Sequence, residues 1–169
     1  MLVRTHFCTR LGVHLTAAVV ALALLAGLAG AQTLRAGIGI PVQLDPAFAS
    51  SDAEILVLSN VYDYLVEIDA ANDVQPGLAT SWTVSEDGRT WRFFLREGAR
   101  WSNGDPLTAD DFVYSLRRVL HPDLGNEYAD WMYMIEGAEA YHMGELEDIG
   151  QVGIVAEDER VLKVVLREP

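Results

Sequence analysis

Three aspartates and a tryptophan lie close together in the stretch RWSNGDPLTADDFVYSLRRVL, residues 100–120. Trp101 could offer an aromatic platform, and Asp105, Asp110 and Asp111 could supply the general acid and base of a hydrolase. Such a carboxylate pair must flank the substrate from separate walls of a cleft. Asp110 and Asp111 are neighbours in a predicted helix, so their side chains point about 100° apart. This spacing argues against a catalytic pair, and a secreted carboxylate-dependent hydrolase stays only as an alternative.

The same stretch contains the residues that start and end a helix. Thr108 is a favourable N-cap residue, and Asp111 occupies the third helical position, as in a capping box. Arg117 and Arg118 fall in the last turn, where cations stabilise the helix dipole. One apolar helix face is formed by Phe112, Val113, Leu116, Val119 and Leu120. We therefore interpret the acids as residues that stabilise the start of the helix and the arginines as residues that stabilise its end.

Sequence motifs that indicate an enzyme, a metal site or a bound nucleotide are missing. The chain contains no G-x-S-x-G, H-E-x-x-H or G-x-x-x-x-G-K pattern, which are the local signatures of serine hydrolases, zinc proteases and phosphate-binding loops. Cys8 is the single cysteine, and His121 and His142 are each isolated in sequence. We therefore expect no enzymatic activity, no cofactor and no metal.

The amino-terminal segment has the features of an export signal. Arg4 and Arg10 precede the apolar run Leu11–Leu28, and the residues Ala-Gly-Ala follow it. This order is typical of a cleavable signal peptide. We predict residues 1–31 as that signal and a periplasmic location, with a retained membrane anchor as the alternative. The formal net charge of −13 disfavours nucleic acid as a partner, because like charges repel.

A β-hairpin is predicted over residues 82–96. Asp87-Gly88 is a favourable two-residue turn, because both residues tolerate positive φ. This turn sets the pairs Val84–Trp91 and Trp82–Phe93. The apolar side chains then share one sheet face, so the turn and the hydrophobic pattern predict the same register. We interpret the two tryptophans as core rather than as a ligand platform.

Four further elements are predicted from local patterns. A strand is expected over Thr33–Ile40. A helix is expected to begin at the capping box formed by Ser51 and Glu54 and to bury one face made of Ile55, Leu58, Tyr62 and Leu65. Another helix is expected over Asn126–Tyr141, with one side made of Tyr128, Trp131, Met132 and Ile135. A second hairpin is expected over residues 152–166, with the pairs Ile154–Leu162 and Val152–Val164.

Motifs in a fixed order along the chain resemble a known protein family. LDPAFASSDAEILVLSNVYDYLVEID is followed by VQPGLATSWTVSEDGRTWRFFLREGARWSNGDPLTADDFVYSLRRVLHP. Together they are similar to the solute-binding proteins of peptide-type bacterial ABC importers (extracellular solute-binding family 5), and most similar to the oligopeptide-binding branch. The resemblance implies a periplasmic-binding-protein-like clamshell of α+β or α/β class. It implies an amino-terminal fragment, with the first strand of the ligand-binding lobe at 32–46 and an inserted α+β subdomain with two hairpins at 47–169.

The resemblance also implies a function. A monomer would capture oligopeptides in the periplasm and deliver them to the membrane permease subunits of an ABC importer. The same scaffold can host another solute, such as an oligosaccharide, a nickel chelate or haem. The family loop after LDP faces the ligand, which assigns Ala49, Ser50, Ser51 and Asp52 as substrate-binding residues, with Trp101 as a further candidate. The acidic residue for the peptide amino group is expected beyond Pro169.

Overall fold

The structure is a computed structural model that describes Gly37 and residues 39–169. The predicted signal peptide lies outside these residues. So does most of the strand predicted over Thr33–Ile40, and Gly39 and Ile40 themselves have no regular secondary structure. In the part of the chain that is described, no helix is both long and apolar enough to cross a membrane.

The described residues alternate short helices and strands. The elements are α1 (Asp52–Leu58), β1 (Val66–Ile68), β2 (Val74–Pro76), β3 (Ala79–Val84), β4 (Thr90–Leu95), α2 (Ala109–Val119), α3 (Ala138–His142), β5 (Ile154–Asp158) and β6 (Val161–Val165). Short 3-10 turns cover Pro122–Leu124, Ala129–Met132 and Ile149–Gln151. Strands β1 and β2 form a separate two-stranded antiparallel sheet.

The main sheet has four antiparallel strands in the order β3-β4-β6-β5. The register between β3 and β4 is the predicted one, with the pairs Val84–Trp91 and Trp82–Phe93. The turn differs from the prediction. The amide of Gly88 donates to the carbonyl of Ser85 over 2.9 Å, and of Asp87 and Gly88 only Gly88 has a positive φ, of 73°. Asp87 stabilises this longer loop through its carboxylate, which accepts from the Ser85 hydroxyl and the Arg89 amide.

The second hairpin, β5–β6, has a different register from the predicted one. The observed pairs are Ile154–Val164 and Ala156–Leu162, so the predicted pairs Ile154–Leu162 and Val152–Val164 are wrong by two residues. The ladder is irregular between Ala156 and Asp158, and the Asp158 carboxylate accepts from the Arg160 amide over 2.7 Å. Because this turn is tighter than the predicted one, the residues of β5 before the irregularity each pair with a residue of β6 two positions further along the chain. A shift of two keeps every side chain on its predicted face.

Helix α2 packs on one face of the main sheet, and the core lies between them. Leu120, Ile154 and Leu162 are fully buried. The apolar face of α2 is confirmed, since Val113 is buried and Phe112 and Leu116 pack against the same cluster. Trp82 and Trp91 are only half-buried and lie outside that central cluster. Trp91 instead stacks on Phe93, with ring centroids 6.3 Å apart.

The first predicted helix is correct at its start and too long at its end. Helix α1 ends at Leu58, where the side chains of Ser59 and Asn60 bond to the carbonyl of Leu56. Such side chains compete with the backbone for helical acceptors. Of the predicted buried face only Leu58 is buried, whereas Ile55 and Tyr62 are exposed.

The single helix predicted over Asn126–Tyr141 is wrong. The segment contains a 3-10 turn and the short α3, separated by Gly137 with a left-handed φ of 74°. Before that glycine the chain joins the sheet edge, because the Glu136 amide donates to Val165 and the Glu136 carbonyl accepts from Gly153. Of the residues predicted to share one side of this helix, Ile135 is buried, but Trp131 is 71% exposed.

Truncating Leu162 tests the position of this core. Leu162→Ala is expected to lower the free energy of unfolding by about 2–5 kcal/mol, because it leaves a cavity in a closed environment. The exposed Val84, at the margin of the same face, provides the control: Val84→Ala is expected to cost less than ~1 kcal/mol. Urea denaturation followed by circular dichroism measures both. Equal costs for the two variants would contradict this assignment of the core.

Candidate functional site

The loop that precedes α1 is folded around the carboxylate of Glu54. Oε1 accepts the amides of Val42 and Gln43 at 3.1 and 2.9 Å, and Oε2 accepts the amides of Ser50 and Ser51, both at 3.1 Å. The residue is only 5% exposed. The sequence predicts the capping box with Ser51, which is confirmed. It does not predict the two bonds to Val42 and Gln43, which close residues 42–51 into a loop that we call the Glu54 loop.

These amides keep the Glu54 carboxylate ionised. The pKa of Glu54 is lowered from 4.5 to about 2, and the largest causes are the amide bonds from Ser50, Ser51 and Gln43. Hydrogen bonds to the charged form of an acid favour that form. Burial acts in the opposite direction and is the weaker effect. The negative charge is therefore part of the structure of the loop.

An ion pair connects the Glu54 loop to helix α2. Nη1 of Arg118 donates to Oδ1 of Asp45 over 2.8 Å, and Nη2 donates to Oδ2. This two-pronged bond lowers the pKa of Asp45 and raises the pKa of Arg118. The Arg118 guanidinium also lies 6.0 Å from the centroid of the Phe48 ring. The sequence assigned Arg118 only to the helix dipole, so this tertiary contact was missed.

The chain after α2 forms the facing wall. The side-chain amide of Asn126 donates to the carbonyl of Ala47, and its oxygen accepts the amide of Tyr128 over 2.7 Å. Between the two segments is a pocket of about 220 Å³. Its lining residues are Ala47, Phe48, Ser50, Gly125, Asn126, Glu127 and Tyr128. Sequence reasoning missed the second wall, because no local pattern indicates which loop packs on which.

The predicted site residues are only partly brought together. Ala49, Ser50, Ser51 and Asp52 form the end of the Glu54 loop and the first residue of α1. Ser50 lines the pocket. Trp101 is not among the residues of that pocket; it is 39% exposed in a turn closed by its bond to the Asp105 carbonyl. The assignment of these five residues to ligand binding stays a prediction.

Two of the three acids that first suggested catalysis, Asp105 and Asp111, have local partners. Oδ2 of Asp111 accepts the Thr108 amide over 2.8 Å, as the capping box predicts. Asp105 accepts from the side chain of Asn103 over 2.7 Å. Within the described residues, no group of three or more metal-ligating side chains is present. A second depression, of about 520 Å³, lies elsewhere, between Ser59 and Ile68.

Comparison with known proteins decides the family. The family model for bacterial extracellular solute-binding proteins, family 5 Middle, matches residues 73–169, more than half of the chain. The chain belongs to this family. The dipeptide-binding protein DppE of Bacillus subtilis is 37% identical over 129 residues, covering 76% of this chain and 24% of the relative.

Solved structures agree with this membership. The murein tripeptide-binding protein MppA of Escherichia coli has a TM-score of 0.72 and 37% identity, over 76% of this chain and 25% of that one. OppA of Haemophilus influenzae, in complex with RPPGFSPFR, has a TM-score of 0.72 and 34% identity, with the same coverage. The described residues are thus an α+β part of the clamshell fold, as predicted. The chain spans about a quarter of the length of these relatives.

Neutralising Glu54 tests whether its charge holds the loop. A carboxylate whose pKa falls from 4.5 to about 2 on folding contributes stability above pH 4.5, and this stability is lost as the pH falls from 4.5 towards 2. Glu54→Gln is therefore expected to be less stable than the parent at pH 7, and the difference is expected to shrink between pH 4.5 and 2. Thermal melting across this pH range measures it, with the exposed Glu147→Gln as control. A difference that does not change with pH would contradict the role of the charge.

Changing Arg118 tests the link between α2 and the loop. Lysine keeps the charge but cannot form the two-pronged bond. Arg118→Lys is therefore expected to lower the free energy of local opening at the Asp45 turn by about 1 kcal/mol, a small value because the ion pair is partly exposed. The Ala47 amide, which donates to Asp45 Oδ1, should then exchange its hydrogen several-fold faster. Arg160→Lys, in an exposed pair with Glu97, should leave that rate unchanged. Amide hydrogen exchange by NMR measures both, and unchanged exchange in Arg118→Lys would argue against the link.

Proposed function

We propose that this protein is the substrate-binding subunit of an ABC importer and that it captures oligopeptides. In this proposal residues 1–31 are a cleaved signal peptide, so the protein acts in the periplasm. Residues 32–46 contribute the first strand of the ligand-binding lobe, and residues 47–169 form the smaller inserted subdomain. The protein acts as a monomer, binds its ligand without chemical conversion and delivers it to permease subunits in the membrane.

The observation that carries the proposal is the free backbone at Ala49. The amides on either side of Ala49 bond within the Glu54 loop: Ala47 and Phe48 donate to Asp45, and Ser50 and Ser51 donate to Glu54. Among the described residues, neither the amide nor the carbonyl of Ala49 has a hydrogen-bond partner. An ordered loop with an uncommitted backbone unit at Ala49 suits a peptide ligand, because backbone bonding gives affinity whatever the ligand side chains are.

The small side chains beside Ala49 support the same proposal. Ser50 and Ser51 are exposed, and neither has a bulky side chain to keep a ligand backbone away. Asp52 follows at the first position of α1. Preorganisation matters here, because a loop that is already ordered loses less conformational entropy when the ligand binds. We assign Ala49–Asp52 to the ligand-facing wall and keep Trp101 as a further contact.

The printed descriptions of the relatives support a peptide as the solute. DppE is named a dipeptide-binding protein, MppA a murein tripeptide-binding protein, and the OppA structure contains a nonapeptide sequence, RPPGFSPFR. These peptides differ in length, which fits recognition through the ligand backbone. The aspartates of residues 100–120 support binding without catalysis, because Asp105 and Asp111 bond to their own turn and helix cap.

Substituting Ala49 tests the proposal directly. In the product of the complete gene, Ala49→Pro removes the backbone donor and is expected to weaken the binding of a tripeptide roughly three- to tenfold, the value of one backbone hydrogen bond. Ala49→Gly keeps the donor and is the matched control. Isothermal titration calorimetry measures affinity, and thermal melting without ligand checks that both variants fold. Parent-like affinity in Ala49→Pro would exclude this contact, and a parent protein that binds no peptide would overturn the function.

A further inference from the structure

The pocket between the Glu54 loop and the facing wall combines aromatic rings with a carboxylate. Phe48 lies on one wall, and Glu127 and Tyr128 lie on the other. Tyr128 packs against Trp131, with ring centroids 5.2 Å apart, and this contact supports the Tyr128 ring from outside the pocket lining. The volume of about 220 Å³ is smaller than the roughly 300–1,000 Å³ of pockets that enclose a whole small ligand. The pocket therefore fits a single side chain.

The charge of this pocket is negative and is not balanced by the described residues. Glu127 is exposed and takes part in none of the ion pairs formed in the described part of the chain. The cation nearest to the Phe48 ring is Arg118, which is already bound by Asp45. The chain as a whole carries a formal net charge of −13, so its field also attracts cations.

We propose that this pocket is a subsite for a positively charged side chain, lysine or arginine, of a bound peptide. The cation would lie against the ring of Tyr128, beside Phe48, whose ring already faces Arg118, and pair with Glu127. Aromatic faces attract cations through the ring quadrupole, and a carboxylate close to the rings adds a direct charge interaction. The inference rests on the proposed peptide-binding function and adds to it a preference for basic ligands.

The experiment compares ligands that differ only in one ammonium group. The product of the complete gene is titrated with Lys-Ala-Ala, Ala-Lys-Ala and Ala-Ala-Lys, and with the same three peptides in which norleucine replaces lysine. At least one lysine peptide is expected to bind about tenfold more tightly than its norleucine counterpart, a ratio typical of one partly desolvated cation contact. Isothermal titration calorimetry gives the dissociation constants.

Two pocket variants and one control variant separate the effect of the pocket from that of the overall charge of the protein. Glu127→Gln is expected to reduce the lysine preference to about threefold or less while norleucine peptides keep their affinity. Glu147→Gln makes the same charge change on an exposed residue outside the pocket and should keep the preference. Tyr128→Leu, which removes the ring, should lower the lysine preference as well. Both pocket residues are exposed, so thermal melting should show little change.

The outcomes distinguish this inference from the function on which it rests. Peptide binding without a lysine preference, or a preference that survives Glu127→Gln, overturns the cation subsite and leaves peptide binding intact. Equal losses in Glu127→Gln and Glu147→Gln also overturn it, because they assign the effect to overall charge. No binding of any of the six peptides overturns the proposed function and the subsite together.

Discussion

The candidate site depends on the hydrogen bonds that the carboxylate of Glu54 accepts. A buried charge is unfavourable unless hydrogen bonds replace its water shell, and here four backbone amides do so. The same bonds bring residues 42–43 next to residues 50–51, so one side chain sets both ends of the loop. The low pKa of Glu54 and the order of the Glu54 loop are two consequences of this single arrangement.

Helix α2 transfers the rigidity of the core to that loop. Its apolar face packs against the sheet through Val113 and the fully buried Leu120. Its last turn contains Arg118, which forms an ion pair with Asp45. In the stretch that first suggested an active site, Asp111 and Arg118 therefore have structural functions. Its acids fix the start of the helix, and one of its arginines positions the loop that the proposed ligand meets. Residues with a structural function can thus determine a binding surface without touching the ligand.

Local features were predictable from the sequence, and contacts between distant segments were not. The capping box at Ser51 and the pairing of Val84 with Trp91 depend on residues a few positions apart, where spacing alone limits the geometry. Asp45 and Arg118 are 73 positions apart, and nothing in their local patterns connects them. The second hairpin is intermediate: alternation fixed its faces, but a bulge near Asp158 set the register. The helix predicted over residues 126–141 failed because Gly137 turns left-handed and Glu136 pairs with the sheet.

The first predicted helix shows a different limit of periodicity. A repeat of apolar residues states which side chains share a face, but it does not state what covers that face. Behind α2 the covering element is the main sheet, so the pattern and the burial agree. In the helix predicted at α1, Ile55 and Tyr62 remain exposed, although the predicted repeat of Ile55, Leu58, Tyr62 and Leu65 is equally regular. Burial is a property of two surfaces, and the sequence of one segment describes only one of them. The same reasoning explains why the pocket was missed. Its walls come from residues 47–50 and 125–128, and the sequence of one segment does not indicate that the other packs against it.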